Sequence, residues 1–181
     1  FNTPHSPMQV PDKFWNKFKD KQLSQKGTTS KKNNDKSLGT SKDKGTNHTK
    51  AALAMCENID WNVGRILKTL ESLDIDKKTI IVFLSDNGPN GHRWNGDMKG
   101  IKGSTDEGGV RSPMIINWKG IIPKGKEVNK IAAGIDLLPT LKDLAGINVK
   151  PKNKLDGLSL KKLILEKNIN WDDRYIYNYW R

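Results

Sequence analysis

Residues 79–84 read TIIVFL. A continuous run of β-branched and aromatic side chains suits a strand buried on both faces. Upstream, Cys56, Ile59, Val63, Ile66, Leu70 and Leu73 recur every three or four residues. That spacing predicts one amphipathic helix over residues 50–73, with the stripe, Cys56 included, in the core. Gly64 lies inside it at a cost of about 1 kcal/mol relative to Ala, which a close packing contact would explain. A helix, a short turn at 74–78 and a buried strand predict an α/β protein with a largely parallel sheet.

The flanking segments are less regular. Three prolines within residues 1–11 forbid a regular helix there. Asp12 then suits the cap of a short helix over 13–22 with Phe14, Trp15 and Phe18 on one face. Residues 24–48 are almost devoid of apolar side chains, too few to offset the entropy of ordering, and predict a mobile polar insert. Asn47-His48-Thr49 within it fits a glycosylation sequon, a short pattern that also arises by chance. Further on, 114–118 predicts a strand. Residues 135–144 predict a helix, with Pro139 in its first turn or at a kink and Gly146 as its stop. Residues 158–165 predict a short helix and 174–179 a last strand. Trp171, Tyr175, Tyr177 and Trp180 are expected to pack.

The 181 residues allow one domain or part of a larger one, and carry 32 Lys+Arg against 20 Asp+Glu, a net charge of +12. Such basicity raises nucleic acid as a partner. The excess is mostly dispersed Lys, however, and Arg is the better base reader, so no nucleic acid is expected. Mean hydropathy is −0.72, and no run reaches the ~18 apolar residues of a membrane span. The single Cys excludes an internal disulfide and a four-Cys zinc site.

Chemistry is expected just beyond the carboxyl end of the buried strand, where open α/β sheets place their ligands. There stand Ser85-Asp86-Asn87-Gly88-Pro89. Asp86 and Asn87 are hard oxygen donors suited to Ca²⁺ or Mg²⁺, and equally the residues of a turn. Residues 100–113 follow as GIKGSTDEGGVRSP. Its glycines let backbone approach an anion and Lys102 offers a point charge, although a purely structural glycine loop reads the same. Neither a Walker loop nor a dinucleotide fingerprint fits it. His5, bracketed by Pro4 and Pro7, could donate a proton at neutral pH or simply be exposed. His92, Arg93, Trp94 and Asn95 either line a pocket or fill a surface loop, since a Trp face suits a sugar ring and Arg an anionic group.

Taken together and in order, TPHSP, the amphipathic helix, the strand ending in SDNG and GxKGxxxEGGxRxP resemble the type I, formylglycine-dependent sulfatases. IDLLPTLKDLAGI and LDGLSL also look like later segments of that arylsulfatase-like group. The resemblance implies an alkaline-phosphatase-like α/β fold with a mixed or parallel sheet, incomplete here. It implies a divalent metal, Ca²⁺ or alternatively Mg²⁺, held by Asp86 and Asn87. It assigns Lys102 to the sulfate, and His5 to the ester and the leaving oxygen. The glycines and Arg111 of EGGVRSP take structural roles, Arg111 pairing with a carboxylate. The implied substrate is a sulfate ester, with a sulfated carbohydrate as one class, and the implied parent is periplasmic or extracellular.

The chain also departs from the family. The C/S-x-P-x-R motif, whose first residue becomes formylglycine, is absent from these residues, as is the family's N-terminal Asp pair. The expectation is therefore a middle-to-C-terminal fragment that alone lacks activity. Residues 1–146 would belong to the catalytic domain and 147–181 would begin a C-terminal region. Two rival readings are a phosphodiesterase or phosphonate hydrolase of the same superfamily, and a non-catalytic module whose Lys-rich insert holds a polyanion.

Overall fold

The computed structural model describes residues 3–23, 44–91, 94–167 and 169–179. In chain order its elements are α1 (Asp12–Trp15), α2 (Lys44–Ser72), β1 (Ile81–Leu84), α3 (Glu107–Val110), β2 (Met114–Asn117), α4 (Leu137–Leu144) and α5 (Lys161–Leu165). Short 3₁₀ turns precede β1 and α4, at Asp76–Lys78 and Gly134–Asp136.

β1 and β2 form a two-stranded sheet. Beyond the strands the Ser85 N–H donates to the Pro113 carbonyl at 3.3 Å and the Gly88 N–H to the Gly109 carbonyl at 2.9 Å. Residue numbers rise on one side as they fall on the other, so the pair is antiparallel. Among the described residues this antiparallel pair is the sheet, and the largely parallel arrangement is not seen. Nor is β1 buried on both faces: Phe83 and Leu84 are exposed. Burial on both faces needs a packed layer on each, and the described residues do not supply both.

The chain divides into two compact units, Phe1–Asp76 with Val82–Ile115, and Lys77–Ile81 with Ile116–Tyr179. In the first, Met8, Ala51, Ala52 and Met55 form a buried cluster, with Val10 and Trp15 packed against it. Phe14 is buried and meets the Trp61 ring edge-on, centroids 5.9 Å apart. The buried side of α2 is thus its N-terminal half. The expected stripe is not the core: Cys56 is exposed, Ile66 is 50% exposed and Leu73 is 61% exposed. α1 and the Met8 segment reach along α2 as far as Trp61. The periodicity is real, but among the described residues Ile66 and Leu73 of its C-terminal half stay exposed. Gly64 likewise has open space around it, so no close contact requires it.

Two boundaries also move. The expected helix over 13–22 is regular only to Trp15 and continues as turns. Most of the expected polar insert lies outside the described residues, but 44–48 are the first turns of α2. Thr49 of the sequon is buried in that helix.

The second unit is built around Leu144, Leu160, Leu163 and Ile164, with Ile116, Trp118 and Trp171 packed against them. Pro139 stands at the third position of α4, where its missing N–H costs no helical bond. Gly146 (φ 69°) ends α4, and the Ile147 N–H returns to the Lys142 carbonyl at 3.0 Å, a Schellman-type stop. Residues 174–179 form no strand. Tyr175 and Tyr177 do not pack: they are 88% and 93% exposed. An extended segment without a neighbouring strand has no face to bury. Trp180 lies outside the described residues.

Candidate active site

Three glycines without room for a side chain shape the segment between β1 and β2. A Cβ on Gly88 would lie 1.8 Å from the Gly108 carbonyl oxygen. One on Gly108 would lie 2.2 Å from the Gly100 oxygen, and one on Gly109 2.1 Å from the Ser104 oxygen. Such distances exclude every residue but glycine unless backbone moves. The SDNG end of β1 therefore packs directly on the EGG turn of α3, and that turn packs on the loop carrying Lys102.

Backbone hydrogen bonds lock the same arrangement. The Lys102 N–H donates to the Pro89 carbonyl at 3.0 Å, and the Gly108 N–H to the Lys99 carbonyl at 2.7 Å. Asn95 braces the loop, its Nδ2 donating to the carbonyls of Met98 at 2.9 Å and Gly100 at 3.2 Å. Asn95 is thus a support of the loop, where its sequence position left pocket lining and loop filling both open. The Ser112 hydroxyl donates to the Ser85 carbonyl at 2.6 Å, tying the two ends of the loop.

The charged groups around this frame divide into paired and unpaired. Asp106 accepts the Ser104 hydroxyl at 2.8 Å and the Lys99 ammonium at 3.1 Å. The Ser104 hydrogen bond first, and Lys99 second, hold its pKa below the ordinary carboxylate value, against a smaller desolvation. Arg111 pairs with Glu107 at 3.3 Å, the structural role expected of it. By contrast, no ion pair or side-chain hydrogen bond engages Asp86 or the Lys102 ammonium among the described residues. Asn87 donates its Nδ2 to the Gly88 carbonyl at 2.9 Å, which leaves its Oδ1 as an acceptor.

An exposed carboxylate and an amide oxygen on adjacent residues fit a hard divalent cation, which takes 6–8 oxygen donors in the case of Ca²⁺. They can be only part of such a set. Among the described residues there is no group of three or more His, Cys, Asp or Glu placed to hold a metal.

The structure brings Asp86, Asn87 and Lys102 into one packed loop. His5 sits apart from their hydrogen bonds, in the turn of residues 3–7, exposed, with Nδ1 2.8 Å from the Ser6 carbonyl. A hydrogen bond from Nδ1–H leaves Nε2 for proton exchange. Trp94 is 82% exposed. His92 and Arg93 lie outside the described residues.

In the second unit lies a polar centre that the motifs did not reveal. Asp136 is fully buried, and its carboxylate accepts the N–H groups of Ala133 and Leu158, both at 2.8 Å. Arg174 binds both of its oxygens, with Nη1 2.9 Å from Oδ1 and Nη2 on Oδ2. Arg174 also donates to the Ile131 carbonyl from Nε and Nη2. Burial pushes the Asp136 carboxyl up, but Arg174 and the two backbone donors together hold its pKa below the ordinary value. The signal in the sequence was a carboxylate inside the apolar run IDLL, which cannot be buried without a partner.

Comparison with known proteins matches residues 1–147 to the sulfatase family model. The chain is similar to steryl-sulfatase of Rattus norvegicus, 34% identical over 133 residues, covering 68% of this chain and 23% of that protein. It is 38% identical over 112 residues to arylsulfatase A of Homo sapiens, covering 59% of this chain and 22% of that protein. N-acetylgalactosamine-6-sulfatase of Canis lupus familiaris is 37% identical over 127 residues, covering 67% of this chain and 24% of that protein. The chain thus spans about a quarter of the length of these curated relatives. A solved structure from work on the metabolism of multiple glycosaminoglycans by Bacteroides thetaiotaomicron superposes with a TM-score of 0.73. It covers 96% of this chain and 35% of that one at 21% identity, which speaks for the fold.

Proposed function

The chain belongs to the sulfatase family, and we propose that it supplies part of the active site of a sulfuric-ester hydrolase. The observation that carries this is the glycine interlock of Gly88, Gly108 and Gly109. It packs into one loop the backbone that carries Asp86, Asn87 and Lys102, whose carboxylate and ammonium have no ion-pair partner among the described residues.

In this reading Asp86 and the Asn87 Oδ1 hold a calcium ion, with magnesium as the alternative, and the remaining ligands come from elsewhere in the protein. The bound cation supplies positive charge against the sulfate oxygens. Lys102 places an ammonium on the same anion, and the bond from its N–H to the Pro89 carbonyl anchors the backbone that carries it. The His5 imidazolium gives a proton to the leaving oxygen as the S–O bond breaks, and so avoids a free alkoxide. The nucleophile, a formylglycine, belongs to a segment carrying the C/S-x-P-x-R motif, which these 181 residues do not contain. Residues 1–146 then form part of the catalytic domain and 147–181 the start of a C-terminal region.

The substrate we favour is a sulfated saccharide, supported by the name of one relative, N-acetylgalactosamine-6-sulfatase. Export of the parent is the family expectation. No helix among the described residues is long and apolar enough to cross a membrane.

The test is expression of the complete open reading frame containing this chain, followed by paired assays on an aryl sulfate and the matching aryl phosphate. Calcium-dependent turnover of the sulfate is expected, with His5→Ala slowed least on esters of the most acidic phenols. Preferential turnover of the phosphate would transfer the site to the phosphoesterase reading.

A further inference from the structure

Residues 150–155 read KPKNKL. With residues of α4 they line a shallow, open cleft of about 440 Å³, and Lys150–Lys154 are all exposed. Lys142, Lys150, Lys152 and Lys154 line it, against the single carboxylate of Asp143. The Asp143 carboxylate lies 4.0 Å from the Lys142 ammonium. The ammonium groups of Lys150, Lys152 and Lys154 have no partner among the described residues.

The segment that bears them is fixed at both ends. Gly146 closes α4 before it. After it, Gly157 lies so close to the Ile135 carbonyl that a Cβ would sit 2.0 Å from the oxygen. The next residue, Leu158, donates to the buried Asp136 carboxylate at 2.8 Å. Pro151 removes a further backbone freedom. Like charges held together in this way repel one another, and a ligand with several negative charges relieves that repulsion.

The lining also selects among anions. It contains neither an aromatic side chain on which a nucleobase could stack nor an arginine fork for base edges, and Leu155 is its one large aliphatic side chain. Ammonium point charges, an Asn amide and small apolar surfaces suit a flexible, hydroxylated polyanion. We propose that this cleft is an anion-binding subsite for a saccharide bearing several sulfate groups, built from residues other than those of the 85–113 loop. The identity of the ligand rests on the sulfatase reading; the subsite itself rests on the lysines.

The test uses the full-length product and the triple variant Lys150→Gln, Lys152→Gln, Lys154→Gln. Calorimetry measures binding of a dextran sulfate octasaccharide and of an oligothymidylate of equal charge. The wild type is expected to bind the saccharide about tenfold more weakly as salt rises from about 50 to about 200 mM. The variant should bind it at least about tenfold more weakly than the wild type at low salt. Its melting temperature and its turnover of a small aryl sulfate should be unchanged. Equal affinity of variant and wild type would overturn the subsite, and so would binding of the oligothymidylate as tight as that of the saccharide. Lysine-dependent saccharide binding by a product that cleaves no sulfate ester would uphold the subsite and overturn the hydrolase reading instead.

Discussion

Gly88 at the end of the SDNG segment and Gly108 of the EGG turn are packed backbone on backbone, with 1.8 Å between a Cβ built on Gly88 and the Gly108 oxygen. Through this contact the proposed metal donors and the proposed sulfate lysine share one frame. Gly88→Ala must push the SDNG and EGG segments apart, and Gly108→Ala must push the EGG turn off the Lys99–Gly100 loop, each at about 1–3 kcal/mol. Both variants of the full-length protein should lose calcium affinity and sulfate-ester turnover together. Either variant keeping wild-type values of both would show that the interlock does not hold the site.

Gly64 provides the contrast. It lies within α2 and a Cβ there meets nothing within 4 Å. Gly64→Ala should raise stability by up to about 1 kcal/mol through helix propensity, read as an upward shift in the urea midpoint with unchanged activity. A lower midpoint would mean that the position is covered in the full protein.

Removing a metal donor should act on binding before it acts on chemistry. Asp86→Ala deletes the single charged donor of the pair and should weaken calcium binding on the order of 100-fold, with Asn87→Ala weaker in effect. Titration calorimetry on the apo protein reads both. Unchanged affinity in Asp86→Ala would return the SDNG segment to a simple turn.

The Asp136–Arg174 pair governs the second unit. Arg174→Ala leaves a buried carboxylate without its counter-charge and should cost about 3–5 kcal/mol. The pKa of Asp136 is lowered on folding, so its contribution is complete above the unfolded value of about 3.9 and is lost as pH falls through the folded value. Urea midpoints between pH 7 and pH 2 should show this loss below about pH 4 in the wild type and less of it in Asp136→Asn. Identical acid profiles would show that the pair carries no linkage.

Much of this architecture follows from local pattern. Three-to-four-residue periodicity marked α2, and the β-branched run marked β1. Gly146 marked the end of α4, and the glycine-rich string announced a tight loop. Burial was harder to read, because periodicity says which residues share a face and nothing about what covers it. The exposure of Ile66, Leu73 and Cys56 shows this. The role of Asn95 stays open in sequence because a polar loop residue looks the same whether it faces a ligand or braces carbonyls. The tie between Asp136 and Arg174 spans 38 residues and has no local signature. Only the cost of burying a lone carboxylate in IDLL pointed to a missing partner.

The central claim is that Lys102 meets the sulfate. Its most direct test is steady-state hydrolysis of an aryl sulfate by the full-length protein, comparing wild type with Lys102→Ala and Lys102→Arg at matched calcium occupancy. Lys102→Ala should lower kcat by about 10²–10³, with the folded state and calcium affinity retained and part of the rate restored in Lys102→Arg. A kcat in Lys102→Ala within about twofold of wild type would contradict the account.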